Sequence, residues 1–365
     1  MKVAYFIGSL NRGGAEMLTL DICRKKDYAP YEMILVYRND GELTDEFRAT
    51  GVPMFRIKPR GFVFGYFGEI RKLLKKENVN LLHAQTLMNG VIGVLCALFT
   101  NLKIVTSFHG LLDTFYKRVL RHINIWWADE TVFVSNYVRD WYIQHTLFCK
   151  KEKCNVVYNG ICLDKYDYDY PIPNVLRSEE KRLKFGCVGN FVAERTQMVI
   201  CKSIKRLDDY GIKQFDFYFV GKRIEGEEKC YDDCVRYCEE NRLLDRVHFV
   251  GSRGDVMAIL QHLDGFVYST AKDTFGIAVV EAMLAGLPVL VNDWEVMREV
   301  TCGGKYAMLF DTGNEEDCCL KMKEMIDNID LFCMKAKNQV KKIRDLYSIE
   351  NHINGLSIVY NKCIS

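Results

Sequence analysis

The stretch that most limits what this chain can fold into is G-F-V-Y-S-T-A-K-D-T-F-G-I-A-V-V-E-A-M-L-A-G-L-P-V-L-V-N, residues 265–292. Its pattern predicts a strand over 265–270, then a polar turn holding Asp273. A helix opens near Phe275 and Gly276 and closes at Gly286, and Pro288 starts a second buried strand. A strand–turn–helix–strand unit of this kind belongs to a parallel α/β sheet, which presents ligands beyond the carboxyl ends of its strands. The helix start offers unbonded amides and the positive end of the helix dipole, a setting that suits a phosphate. Glu281 lies inside the apolar helix, where an ionised carboxylate needs a partner.

The same alternation runs through the chain. Strands are expected over 2–7, 32–37, 52–57, 81–84, 103–107, 130–134 and 155–158, and again over 183–188, 215–221 and 247–250. Helical segments separate them, at 15–26, 44–50, 66–77, 90–99, a long one ending at Trp127, one through Leu207 and one over 256–263. This predicts doubly wound parallel sheets. Residues 163–182 change character, being rich in Tyr and Asp, with Pro171 and Pro173 and the run R-S-E-E-K-R. The expected division is a first domain over 1–170, a linker over 171–182 and a second domain over 183–348. The tail from Ile329 reads as helical with a break at Tyr347–Ser348.

Composition narrows the function classes. A chain of 365 residues with 49% hydrophobic content fills two or three cores, and a net charge of +2 disfavours a nucleic-acid partner. The charge is uneven: residues 1–182 carry 26 Lys and Arg against 20 Asp and Glu, a net of +6, which leaves −4 for the rest. A basic first half suits an anionic partner or a membrane face. Basic and aromatic residues cluster over 58–67, 71–76 and 116–127, and a solvated helix face is the competing reading of each. The 15 cysteines are scattered and odd in number, and the start of the chain is not a signal peptide. They read as reduced thiols of a cytoplasmic protein, at most peripheral to the inner face of a membrane. Cys230, Cys234 and Cys238 share a helical face without a His, so core packing is expected rather than a metal.

Three further places carry candidate chemistry. Gly13 and Gly14 follow the first strand in G-S-L-N-R-G-G-A-E, a turn that brings amides close to an anion but lacks the dinucleotide-binding spacing. His109, in S-F-H-G, stands at the carboxyl end of a strand, where ligand contacts and ordinary half-buried histidines both occur. Arg195, in G-N-F-V-A-E-R-T-Q, is either a phosphate-pairing guanidinium or a solvated loop cation.

The run D-T-F-G-I-A-V-V-E-A-M-L-A-G-L-P-V resembles the E-x7-E region of the retaining glycosyltransferases of family 4. The resemblance covers nearly the whole chain and implies a GT-B fold, two Rossmann-like domains facing a central cleft, with the last helix, 349–365, crossing back onto the first. In that family the second acid grips the nucleotide ribose and the first contacts donor-sugar hydroxyls, roles that fall here on Glu281 and Asp273, the latter one methylene shorter than the usual Glu. The G-G-A-E turn resembles the loop facing diphosphate and acceptor. His109 matches a histidine facing the donor sugar. The loop after 188 matches one whose two basic residues bind the diphosphate; Asn190 takes the first place and Arg195 the second. F-V-G-S-R resembles the base-binding loop, which puts Ser252 and Arg253 near the nucleobase. Thr274, Phe275 and Gly276 complete the donor set. His83 matches a family position whose flanking places hold Asn80 and Gln85 here, and reads as structural.

The expectation is a metal-independent hexosyltransferase that moves a sugar from a UDP- or GDP-linked donor to a glycan or lipid-linked acceptor, with retention. Surface polysaccharide or glycolipid synthesis is the expected setting. Two rivals share the resemblance: a sugar-nucleotide epimerase, which needs an acid–base pair that the sequence does not offer, and a non-catalytic sugar-nucleotide-binding partner of a transferase.

Overall fold

The structure, a computed structural model, describes residues 1–58, 63–111, 114–177 and 181–364. It divides into two compact units, Met1–Cys162 with Tyr347–Ser365, and Leu163–Leu346. Residues 178–180 of the expected linker and 59–62 of the first basic-aromatic cluster lie outside the described residues.

The first unit is built on seven parallel strands: β1 (Lys2–Ser9), β2 (Glu32–Asn39), β3 (Met54–Arg56), β4 (Leu81–Ala84), β5 (Lys103–Phe108), β6 (Glu130–Phe133) and β7 (Cys154–Val156). Their order is β3-β2-β1-β4-β5-β6-β7. Side chains of a strand alternate between faces, so β1 feeds two separate cores. Val3, Tyr5 and Ile7 join one with Leu18, Ile22 and the last helix, while Ala4 and Phe6 join the other with Ile70, Leu74 and Ile92. Helices cover both faces, which is why these strands read as continuous apolar runs.

The last helix, Ile349–Ile364, packs on this unit through Ile349, Ile353, Leu356, Tyr360 and Cys363, one stripe of a 3.6-residue period. Its separation from the helix Ile329–Tyr347 has a local cause. Ile161 donates its amide to the Tyr347 carbonyl at 2.8 Å and accepts from the Ile349 amide at 3.0 Å, and the Ser348 hydroxyl accepts from Asn351 at 3.1 Å. The helical ladder is interrupted there by an isolated bridge between Ile161 and Ser348 and restarted by a serine cap.

The second unit holds β8 (Leu183–Val188), β9 (Phe215–Val220), β10 (Val247–Gly251), β11 (Gly265–Tyr268), β12 (Val289–Asn292) and β13 (Met308–Phe310), all parallel, in the order β10-β9-β8-β11-β12-β13. The strand order reverses between β8 and β11, so the loops leaving their carboxyl ends splay apart and frame a crevice. Cys234 and Cys238 are buried with Cys201, whose thiol is pushed well up by burial and by those neighbours. Cys234 and Cys238 of the cysteine stripe are core, and Cys230 is half-buried at its edge. Among the described residues no cluster of three metal-ligating side chains occurs, and no helix is long and apolar enough to cross a membrane.

Candidate functional site

In the second unit the loops after β8 and β11 are stitched together by backbone. Ala271 donates to the Glu194 carbonyl at 2.8 Å, Thr196 donates to the Ser269 carbonyl at 3.2 Å, and Arg195 bridges Thr270. This places Arg195 Nη2 3.7 Å from Asp273 Oδ2, with the guanidinium carbon 5.0 Å from the centre of the Tyr268 ring. Gly189 makes room for it, since a Cβ there would sit 2.3 Å from Arg195 Nη1. Burial works against the Arg195 charge, but Tyr268 and Asp273 more than offset it and the pKa moves up. Arg195 therefore enters the loop junction as a fixed cation stacked on an aromatic face.

Asp273 is held from two sides. Tyr268 donates its hydroxyl to Oδ2 at 2.7 Å, and the amides of Thr274 and Phe275 donate to Oδ1 at 2.8 and 3.4 Å. Burial, then the Asp273 charge, pushes the Tyr268 phenol well above its ordinary range, so Tyr268 remains a donor. Of the expected phosphate-facing amides, Thr274 and Phe275 thus already bond Asp273. Those of Gly276 and Ile277 open the helix Ile277–Leu284, where no intrahelical carbonyl can reach them. Gly276 caps this helix at φ +79°, and a Cβ there would meet Met297 Cε at 2.5 Å. Glycine is the residue that fits both constraints.

Glu281 sits on the open side of that helix, whose Val279, Val280, Ala282, Met283 and Leu284 are buried. Its partner is Lys165, whose Nζ donates to Oε1 at 2.6 Å. Lys165 lies in the Tyr- and Asp-rich segment and was not among the expected site residues. A half-buried glutamate signals that a cation must exist, but not which one.

The remaining donor-side candidates are engaged elsewhere. Asn190 Oδ1 accepts from the Lys222 amide at 3.0 Å, which ties the β8 loop to the one after β9 and puts the main chain of a second cation beside it. The Arg253 fork is taken up by Asp255 at 2.8 and 2.7 Å, and Ser252 follows the left-handed Gly251 at the end of β10.

In the first unit, Gly13, Gly14 and His109 stand beyond the carboxyl ends of β1 and β5 in one parallel sheet. Gly13 precedes the helix Gly14–Arg24 in extended conformation, and its carbonyl accepts from Met17 at 2.9 Å. His109 Nε2 is 2.9 Å from Gln85 Oε1, an oxygen that can only accept, so Nε2 carries the proton. Burial, then His352, pushes His109 down to about 4. At physiological pH His109 is therefore a neutral imidazole with this tautomer. His83 is buried one step further in, with Nε2 2.7 Å from Ser107 Oγ and Nδ1 2.6 Å from the Tyr360 hydroxyl. Its role is structural.

Two family models match the chain, "Glycosyltransferase Family 4" over residues 12–165 and "Glycosyl transferases group 1" over 171–344. Among curated proteins it resembles the O-antigen biosynthesis glycosyltransferase WclY of Escherichia coli, at 23% identity with 82% of each chain covered. It also resembles the N,N'-diacetylbacillosaminyl-diphospho-undecaprenol alpha-1,3-N-acetylgalactosaminyltransferase of Campylobacter jejuni, at 23% identity over 91% of this chain and 92% of the other. Among solved structures, Anabaena Alr3699/HepE in complex with UDP and glucose superposes with a TM-score of 0.85 at 18% identity, covering 99% of both chains.

Proposed function

The chain belongs to the group 1 glycosyltransferases of family 4, with the GT-B fold, and we propose that it transfers a sugar from a UDP-linked donor, with retention, to a lipid-linked glycan acceptor in surface polysaccharide assembly. The observation that carries this reading is the Arg195–Tyr268–Asp273 junction beside the helix start at Gly276, at the switch point of a Rossmann-ordered sheet. As the anomeric carbon–oxygen bond breaks, charge collects on the departing diphosphate; Arg195 and the helix-start amides meet it without reorganising. Asp273 takes donor-sugar hydroxyls and Glu281 the ribose diol. UDP is chosen because the Anabaena neighbour is in complex with it, and the acceptor class because the Campylobacter relative's name specifies diphospho-undecaprenol.

A thermal-shift screen against UDP, GDP, ADP, CMP and their common sugars, without metal, tests the donor site. At a hundredfold excess over Kd, UDP or a UDP-sugar is expected to raise Tm by about 5 °C, with Glu281→Gln roughly halving the shift. No shift with any nucleotide sinks the reading. Donor binding with neither hydrolysis nor transfer to any acceptor would assign the chain instead as a non-catalytic partner.

A membrane-borne acceptor gives meaning to the helix Phe115–Trp127. It buries Leu120 and Ile125 together with Arg121 and Asn124, yet also turns Phe115, Tyr116, Val119, Trp126 and Trp127 outward, so large apolar side chains lie on its exposed face as well. Trp126 donates its indole N–H to the Leu147 carbonyl at 2.7 Å, beside the 89% exposed Phe148. We read this face as a contact with an anionic bilayer. The protein is expected to co-sediment with phosphatidylglycerol vesicles, and the Trp126→Ser, Trp127→Ser variant to stay in the supernatant; a wild-type protein that ignores such vesicles refutes the contact.

A further inference from the structure

We propose that Lys165 is the positioning residue for Glu281, holding one carboxylate oxygen so that the other is presented to the nucleotide ribose. This rests on the reading of Glu281 as the ribose clamp and adds to it a residue that acts through that clamp. Glu281 is only 18% exposed on an otherwise apolar helix. The Lys165 ammonium, 2.6 Å from Oε1, places an opposite charge beside it and takes up one oxygen. Among the described residues the other has no hydrogen-bond partner, so the ion pair leaves it for the ligand.

A lysine can orient another group only if it is itself held, because its own side chain carries much rotamer freedom. Lys165 is held by its segment. It lies in the single 3₁₀ turn Asp164–Tyr166, 5.5 Å from the centre of the Tyr166 ring. Arg344 bonds Asp167 at 2.9 Å, and Gln261 donates to the Tyr168 carbonyl at 2.7 Å and accepts from the Tyr170 amide at 3.2 Å. Three helices of the second unit thus grip residues 165–170: Ile277–Leu284 through Glu281, Val256–Gln261 through Gln261, and Ile329–Tyr347 through Arg344. The strap delivers the ammonium to the helix from a braced support.

The test is the ratio of Kd for 2′,3′-dideoxy-UDP to Kd for UDP, measured by calorimetry on the full chain. Wild type is expected to prefer the diol about 100-fold, the effect of two hydrogen bonds to a charged acceptor. Glu281→Gln should reduce the ratio to about tenfold or less. Lys165→Met, which keeps the apolar stem, is expected to reduce it in the same way, and Lys165→Arg to restore most of it. A Lys165→Met protein that weakens both nucleotides equally, or neither, overturns the proposal, since a merely bracing lysine would not sense the diol. Tighter UDP binding by that variant overturns it too, because Lys165 would then be a competitor for the carboxylate. If Glu281→Gln also keeps the wild-type ratio, the failure lies with the ribose assignment and not with Lys165. Matching Tm values for the unliganded variants guard against misfolding as the cause.

Discussion

Arg195→Ala is expected to lower kcat about 100- to 1,000-fold, the usual consequence of removing one preorganised group from a site where charge develops. Three features make the effect large. The guanidinium is fixed by the backbone stitch between the β8 and β11 loops, so no reorganisation accompanies the reaction. It is stacked 5.0 Å from the Tyr268 ring centre, and a stacked planar cation is not replaced by water. It also balances Asp273, whose Oδ2 is 3.7 Å away, so its loss leaves a carboxylate facing the incoming diphosphate. Steady-state kinetics separate the cases: a group that acts on the departing diphosphate lowers kcat more than it raises the donor KM. Arg195→Lys keeps the charge but not the fork or the stacking, and an intermediate kcat is expected. A kcat within about threefold of wild type for Arg195→Ala would remove the residue from the leaving-group role.

Acidification is expected to unfold the first unit between about pH 6 and pH 4.5. Burial depresses His83 well below its ordinary value and His109 and His352 to about 4, while an unfolded histidine titrates near 6.5. Above the unfolded value both states are neutral at these groups and stability is complete. Below it the unfolded chain takes up protons that the folded unit refuses, so stability is lost as pH falls towards the folded values. Three groups give a slope of up to about 4 kcal/mol per pH unit, which over two units rivals the whole stability of an ordinary domain. His83 cannot relieve the cost by turning to water, since Ser107 and Tyr360 occupy its two nitrogens. His352 Nδ1 donates to the Tyr158 carbonyl at 2.7 Å, so His352→Gln, which can keep a donor there without titrating, should lower the slope by about a third. Denaturation midpoints followed from pH 7 to pH 4.5 check this, and a flat profile in wild type would contradict it.

The parts of this molecule that were legible in the sequence are those whose signal is local. The alternation of short apolar runs with helical periods marked the strands of the first sheet, because a strand covered on both faces must be apolar throughout. The helix break at Tyr347–Ser348 and the Asp273–Glu281 spacing were visible for the same reason, since capping and helical rise act within a few residues. Where the local signal was thin, elements were missed: β13, Met308–Phe310, is three residues long, and the helix Glu315–Asp327 follows it in a stretch without distinct apolar runs.

Partnership is a property of the tertiary structure. Lys165 and Glu281 are 116 residues apart, and nothing in the Tyr- and Asp-rich segment marks that lysine as the answer to a half-buried carboxylate. The stacking of Arg195 on Tyr268, the hydrogen bond of Tyr268 to Asp273, and the use of the Arg253 fork by Asp255 likewise depend on which loops the sheet order brings together. The sequence by itself determined which residue types stand at the ends of the strands. Only the fold decided which of them are spent on each other, because a pair energy depends on distance and desolvation, and neither is a function of position along the chain.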